Sequence, residues 1–293
     1  MKLDENNKEG LPMHTPKILS LFGLALLAGA AVHGVTLKER FDQTVPLHGG
    51  RGGSEVRLSN VNGGVTFEAW DRDEVRIEAE KHVRAGSDET ARKIMAKIRI
   101  EVTPGPSGLR IDTRMPKNEN GLFDGLFGTS VSAGVSYKVH VPRQVSVDVV
   151  DTNGGIQLAG TRGSAHLETS NGGLSVREVE GEMTLKTTNG GIAVVHSAGG
   201  LKAETTNGGI QAEMTRLPAG DLNLETTNGG VSVRLPRDER FSIDAETSNG
   251  GVASDFPVQG GQPGRRSLKG DVNGGGAKLV VRTSNGSIHI RQM

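Results

Sequence analysis

Five charged residues recur at one place in a repeating unit. Glu168, Lys186, Glu204, Glu225 and Glu246 each stand three residues before the Asn of an Asn-Gly-Gly triplet. If the units stack, they form one outward column with Lys186 between two carboxylates. The ordinary reading is a solvated charged face. The sharper expectation is that Glu204, Glu225 and Glu246 lie close together and attract a hard cation or a cationic partner. No Gly-Gly-x-Gly-x-Asp calcium repeat accompanies them, so no metal or cofactor is assigned.

Signals for catalysis are thin. His48, His82, His140, His166, His196 and His289 show no metal-ligand spacing, and neither a Gly-x-Ser-x-Gly elbow nor a phosphate-binding Gly loop is present. The chain has no Cys, which excludes thiolate nucleophiles and disulfides. No catalytic residue is assigned and the chain is read as a non-enzyme. The enzymatic alternative is a polysaccharide-active protein on a β-helix, with the glutamate column as its local match. Trp70 and Tyr137 are too few to form an extended sugar platform. A second anomaly is the loop from Gly121 to Gly128, where Leu122, Phe123, Leu126 and Phe127 stand between glycines. Its expected role is a lid on the fold, or a contact surface for a partner or membrane.

These residues are positioned by an internal repeat. Asn-Gly-Gly occurs as Asn153-Gly154-Gly155, Asn171-Gly172-Gly173, Asn189-Gly190-Gly191, Asn207-Gly208-Gly209, Asn228-Gly229-Gly230 and Asn249-Gly250-Gly251. Further copies begin at Asn62 and Asn273, and Asn285-Gly286-Ser287 is a variant. Apolar residues alternate on both sides of the Asn. Leu167 and Leu185 lie four before it, Met183 and Leu201 six before, Ile192 and Ile210 three after, and Val176 and Val194 five after. Each unit therefore reads as a half-buried strand, a corner and a second half-buried strand. The corner glycine is expected to supply positive φ.

The same signal fits an antiparallel β-meander or sandwich, because Asn-Gly is also a strong hairpin code. A β-solenoid (β-helix) is preferred. The Thr or Ser before the Asn recurs with it (Thr152, Ser170, Thr188, Thr206, Thr227, Ser248, Ser284), as expected for hydroxyls and amides stacked about 4.8 Å apart. Extra residues also enter at one corner, around 213–220, 234–240 and 255–270.

The expected architecture is all-β: a single-domain solenoid over 44–291, with 69–145 as an irregular insertion or cap. That insertion carries one short helix, which Ser87-Asp88-Glu89-Thr90 starts and whose apolar face is Ile94, Met95 and Ile98. Ahead of it lie a polar region, 1–17, and an uncharged run, 18–32. That run suits a signal-peptide core with Ala28-Gly29-Ala30 as cleavage site, or an uncleaved N-terminal membrane anchor. Export to the periplasm, cell surface or medium follows. With 34 basic residues balancing 34 acidic ones, no nucleic-acid partner is expected.

The strand Tyr137-Lys138-Val139-His140-Val141-Pro142, leading into Val145-Ser146-Val147 and then the Gly-Gly-Ile, Gly-Gly-Leu and Gly-Gly-Val units, resembles the bacterial putative adhesin family known as domain of unknown function 4097. The resemblance covers roughly residues 44 to 291 and carries over no catalytic residues. It implies an exported protein that presents a repetitive face to an envelope protein or glycan. A membrane-anchored accessory of envelope-stress signalling is a further alternative.

Overall fold

The computed structural model describes residues 34–47, 54–116, 131–217, 220–261 and 264–293. The N-terminal half holds β1 (Val35–Pro46), β2 (Glu55–Ser59), β3 (Val65–Trp70), β4 (Glu74–Ala85), α1 (Asp88–Met95), β5 (Arg99–Gly105), β6 (Gly108–Arg114) and β7 (Ser132–Pro142). The repeat then runs through β8 (Ser146–Asn153) and β9 (Ile156–Ala159), β10 (Ala165–Asn171) and β11 (Leu174–Arg177), and β12 (Met183–Asn189) and β13 (Ile192–Ala198). It continues with β14 (Leu201–Asn207) and β15 (Ile210–Arg216), β16 (Leu222–Asn228) and β17 (Val231–Leu235), and β18 (Phe241–Asn249) and β19 (Val252–Ser254). After β20 (Ser267–Val272), β21 (Ala277–Asn285) and β22 (Ile288–Gln292) close the chain. The polar region 1–17, the run 18–32 and the Leu122, Phe123, Leu126 and Phe127 loop lie outside the described residues. Among the described residues no helix is long and apolar enough to cross a membrane.

The protein is a β-solenoid. The two strands flanking each Asn-Gly corner do not pair with each other. Each pairs in parallel with its counterpart one coil away, giving two 11-stranded sheets. Registers are kept from coil to coil: Leu167 opposes Leu185, which opposes Ala203, which opposes Leu224. On the other sheet Ile156, Leu174, Ile192, Ile210 and Val231 align in turn. Period-two alternation sends these aliphatics inward, where Leu167, Leu185, Val176, Val194 and Leu224 are fully buried. A one-residue slip would turn a whole strand's apolar set to solvent, so the register is strongly specified. This parallel stacking overturns the antiparallel meander or sandwich alternative.

Stack order departs from chain order at both ends. β21 and β22 insert between the coil of β16 and β17 and the coil of β18 and β19. At the other end β6 and β7 make a further coil without any Asn-Gly-Gly, seated outside β2 and β3. Its inward residues Leu109, Ile111, Tyr137 and Val139 continue the core columns. Antiparallel strands close the stack: β4 and then β1 on one sheet, β5 and β20 at the ends of the other. The helix α1 is capped by Ser87, whose Oγ accepts from the Thr90 N–H at 3.2 Å, and it buries Ala91, Ile94 and Met95. On edge strand β1, Glu39 forms a half-buried ion pair with Lys81 at 2.9 Å, and Pro46 ends the strand. Both features discourage pairing with another chain. At the far end Phe256 packs edge-on against Phe241, ring centroids 5.1 Å apart. Asn273-Gly274-Gly275 is a loop between β20 and β21 with positive φ and not a coil corner.

The corner glycines need no left-handed backbone, contrary to the expectation from sequence. Among the triplet corners only Gly63 has positive φ. The requirement is close approach. A Cβ at Gly172, Gly190 or Gly208 would come within 2.0–2.1 Å of the carbonyl oxygen of the corner one coil before. The second glycine is far less constrained, with 3.4 Å of room at Gly191, and Ser287 occupies that place in the variant corner.

Candidate functional site

Three columns run along the corner edge of the sheet containing β8, β10, β12, β14, β16, β21 and β18. The first is an asparagine ladder. Each Asn donates its Nδ2–H to the Oδ1 of the Asn one coil before, at 2.8–3.0 Å, from Asn62 through Asn153, Asn171, Asn189, Asn207, Asn228 and Asn285 to Asn249. Identical amides bonded in this way lock the register rung by rung.

A second column holds hydroxyls, and the structure corrects which residues form the bonded ladder. Thr152, Ser170, Thr188, Thr206, Thr227 and Ser248 face solvent. The buried hydroxyls stand one residue earlier, two before the Asn. Thr169, Thr187, Thr205, Thr226, Thr283 and Thr247 each donate to a corner-glycine carbonyl of the preceding coil at 2.8–3.0 Å. That hydroxyl supplies a partner to a half-buried corner carbonyl.

Two adjacent coils break this pattern. Asn60 and Asp151 occupy the threonine position and are 6% and 2% exposed. Asn60 donates to Gly63 O at 3.0 Å and to Val135 O at 3.1 Å, and its Oδ1 has no partner. Asp151 Oδ1 accepts from the Thr152 N–H at 2.8 Å, while Oδ2 is buried without a partner. Burial pushes the Asp151 carboxyl above the usual carboxylate range. The column ends on Thr113, hydrogen-bonded at 2.6 Å to Tyr137, whose burial raises its hydroxyl to about 12. Sequence reasoning missed Asn60 and Asp151. The available signal was that these two residues depart from the Thr found two before the Asn in the other six coils.

The third column carries the charges. Glu168, Lys186, Glu204 and Glu225 are aligned rung to rung as expected, but Glu246 does not follow Glu225. Arg282 lies between them, because the coil of β21 separates β16 from β18. The expected run of three neighbouring carboxylates is therefore interrupted. Lys186 Nζ lies 3.4 Å from Glu168, Lys202 lies 2.9 Å from Glu204, and Arg282 lies 2.9 Å from Asp244 and 4.0 Å from Glu246. The hydrogen bond from Lys202 to Glu204 raises the lysine's pKa, and Arg282 holds Asp244 below the usual carboxylate range. Among the described residues no three His, Asp or Glu side chains are gathered closely enough to hold a metal ion.

On the opposite sheet the single Trp is fully used by the fold. Trp70 stacks on His140 with centroids 5.1 Å apart, carries the Arg72 guanidinium at 4.9 Å and donates to Glu74 O at 2.8 Å. These contacts commit the half-buried indole to the fold.

Residues 146–291 match the family model described as Toastrack DUF4097. No curated protein matches the chain. Among solved structures, the chain is similar to a putative cell adhesion protein from Clostridium sporogenes, at 12% identity over 87% of this chain and 100% of that one, with a TM-score of 0.34. It is also similar to putative adhesins from Bacteroides fragilis (6% identity, 87% and 97% covered, TM-score 0.37) and Parabacteroides distasonis (11%, 87% and 97%, TM-score 0.39).

Proposed function

The chain belongs to the Toastrack DUF4097 family through residues 146–291, and on that premise we propose that it is an exported, non-enzymatic protein whose solenoid presents a regular polar face for adhesion to an envelope protein or glycan. Export is assigned to the run 18–32, acting as signal core or as anchor. The observation that carries the reading is the difference between the two hydroxyl columns. Every threonine two before an Asn, from Thr169 to Thr283, spends its hydroxyl on the fold. The column one residue later, which includes Thr188 and Thr206, faces solvent and is free to bond a partner. Donors and acceptors repeating about every 4.8 Å on rigid strands suit a partner that is itself extended or repetitive. Such a surface binds with little ordering cost.

Binding of purified envelope glycans and envelope protein fractions tests this, with a Thr188→Lys/Thr206→Lys variant as control. Both side chains are exposed, and a thermal melt of the variant checks that it folds. The expected result is saturable binding by the full chain that the variant loses. Binding that persists in the variant, or its absence with every fraction, would refute the assignment of this face.

A further inference from the structure

The second corner of the coil, on the far side from the asparagine ladder, carries an unusual backbone. Ala159, Arg177 and Val195 are register partners on successive rungs, and each is followed by a residue with left-handed φ: Gly160 at 79°, Glu178 at 54° and His196 at 49°. The corner thus requires that conformation in three coils. Glycine meets the requirement freely in the first. In the other two a side chain is present; His is among the types that tolerate this region, but Glu178 is not a residue that a turn would select for positive φ. Strain of this kind, kept where glycine would serve, points to a use for the side chain.

Both strained residues line one cleft of about 350 Å3, within the range of small-ligand sites at ~300–1,000 Å3. Arg143, Arg162 and Arg216 surround it, with Glu178, Glu180 and His196. The groups are unevenly committed. Arg143 Nε bonds Asp71 at 2.6 Å, His196 Nε2 is held 2.8 Å from Glu213, and Arg162 sits a loose 3.8 Å from Glu180. Arg216 and Glu178 have no ion-pair partner among the described residues. The cleft therefore offers two kinds of binding capacity: planar guanidinium forks, which match a carboxylate, and carboxylate oxygens, which accept from hydroxyl donors.

A ligand carrying both a carboxylate and several hydroxyls on one ring satisfies both at once. We propose that this cleft is a binding site for a uronic-acid unit of an acidic oligosaccharide, with Arg162 and Arg216 taking the sugar carboxylate and Glu178 and Glu180 accepting from its hydroxyls. A purely anionic ligand such as free phosphate would leave the two glutamates repelled, and a neutral sugar would leave the guanidinium forks unfilled. The site lies on a different surface from the exposed hydroxyl column and does not depend on it.

Calorimetry on the full chain with trigalacturonate, its methyl ester and maltotriose tests the assignment. Trigalacturonate should bind, and the methyl ester, which keeps the shape and loses the charge, should bind at least about tenfold more weakly. An Arg162→Ala/Arg216→Ala variant should lose binding by a similar factor. A Glu178→Gly/His196→Gly variant separates ligand binding from folding: relief of the left-handed strain should keep or raise its Tm while its binding weakens. Equal binding of acid and ester, binding unaffected by the arginine substitutions, or no binding of trigalacturonate would overturn the proposal. A lower Tm with unchanged binding in the glycine variant would assign Glu178 and His196 to the fold alone. Each of these failures leaves the hydroxyl face to be judged by its own variant.

Discussion

Substituting threonine for Asp151 should stabilise the protein, and more so at neutral pH than in acid. Asp151 stands where six other coils place a threonine that donates to a corner carbonyl of the coil before. An ionised carboxylate cannot donate there, and its Oδ2 is left buried and unpartnered. The adjacent rungs bring Asn60 and Thr169, neither of which can compensate a charge. A buried polar atom without a partner costs about 1–3 kcal/mol, and a threonine hydroxyl would remove that cost. The corresponding rise in Tm is roughly 2–4 °C per kcal/mol for a domain of this size. The sign with pH follows from linkage. Burial raises the folded-state pKa of Asp151 above the unfolded value of about 3.9, so the folded chain holds this proton more tightly than the unfolded one. The resulting stabilisation is complete below about pH 3.9 and is lost as pH rises through the folded pKa. The advantage of Asp151→Thr should therefore be small in acid, grow with pH and then level off. Urea denaturation of both proteins across that range, followed by circular dichroism and Trp70 fluorescence, measures the gap directly. A variant no more stable at neutral pH, or a gap independent of pH, would refute the reasoning.

Gly190→Ala places a Cβ 2.0 Å from Gly172 O and should prevent folding or lower the Tm severely, whereas Gly191→Ala, with 3.4 Å to Gly209 O, should be tolerated; thermal melts of the pair decide between close approach and turn conformation as the reason for the triplet. Asn189→Ala removes one ladder bond on each side and should cost about 1–2 kcal/mol, while Asn249→Ala at the ladder's end removes one bond and should cost about half that, as read by denaturant midpoints. Arg282→Glu would bring like charges together between Glu225 and Glu246; the Tm should fall at low ionic strength and recover in salt, and an unchanged Tm would contradict the observed stack order. Calorimetric titration of the unmodified chain with calcium should give no binding, since Lys186 and Arg282 break the carboxylate column.

The repeat was legible because period-two alternation and recurring Asn-Gly are local properties of the chain. They determined the strands, the corner positions, the inward residues and, through the recurrence of identical polar residues, the parallel stack. Family resemblance was carried by the same local patterns. The charged column was legible only in part. The position of Glu168, Lys186, Glu204 and Glu225 relative to their Asn residues gave their common face, but nothing in the spacing announces that the last coil of the chain is not the last of the stack.

Tertiary structure decided the rest, for one physical reason: a coil cannot bury its apolar face alone, so its neighbours are set by which surfaces fit and not by chain order. That choice put Arg282 between Glu225 and Glu246 and recruited β6 and β7 as a coil with no Asn-Gly-Gly of its own. It also made glycine necessary through the approach of a neighbouring carbonyl, left Asp151 short of a partner, and gathered Arg143, Arg162 and Arg216 around one cleft. The sequence by itself determined what each rung looks like, because side-chain alternation is fixed within the strand. Which rungs touch, and what their contact leaves unsatisfied, was decided only by packing between segments far apart in the chain.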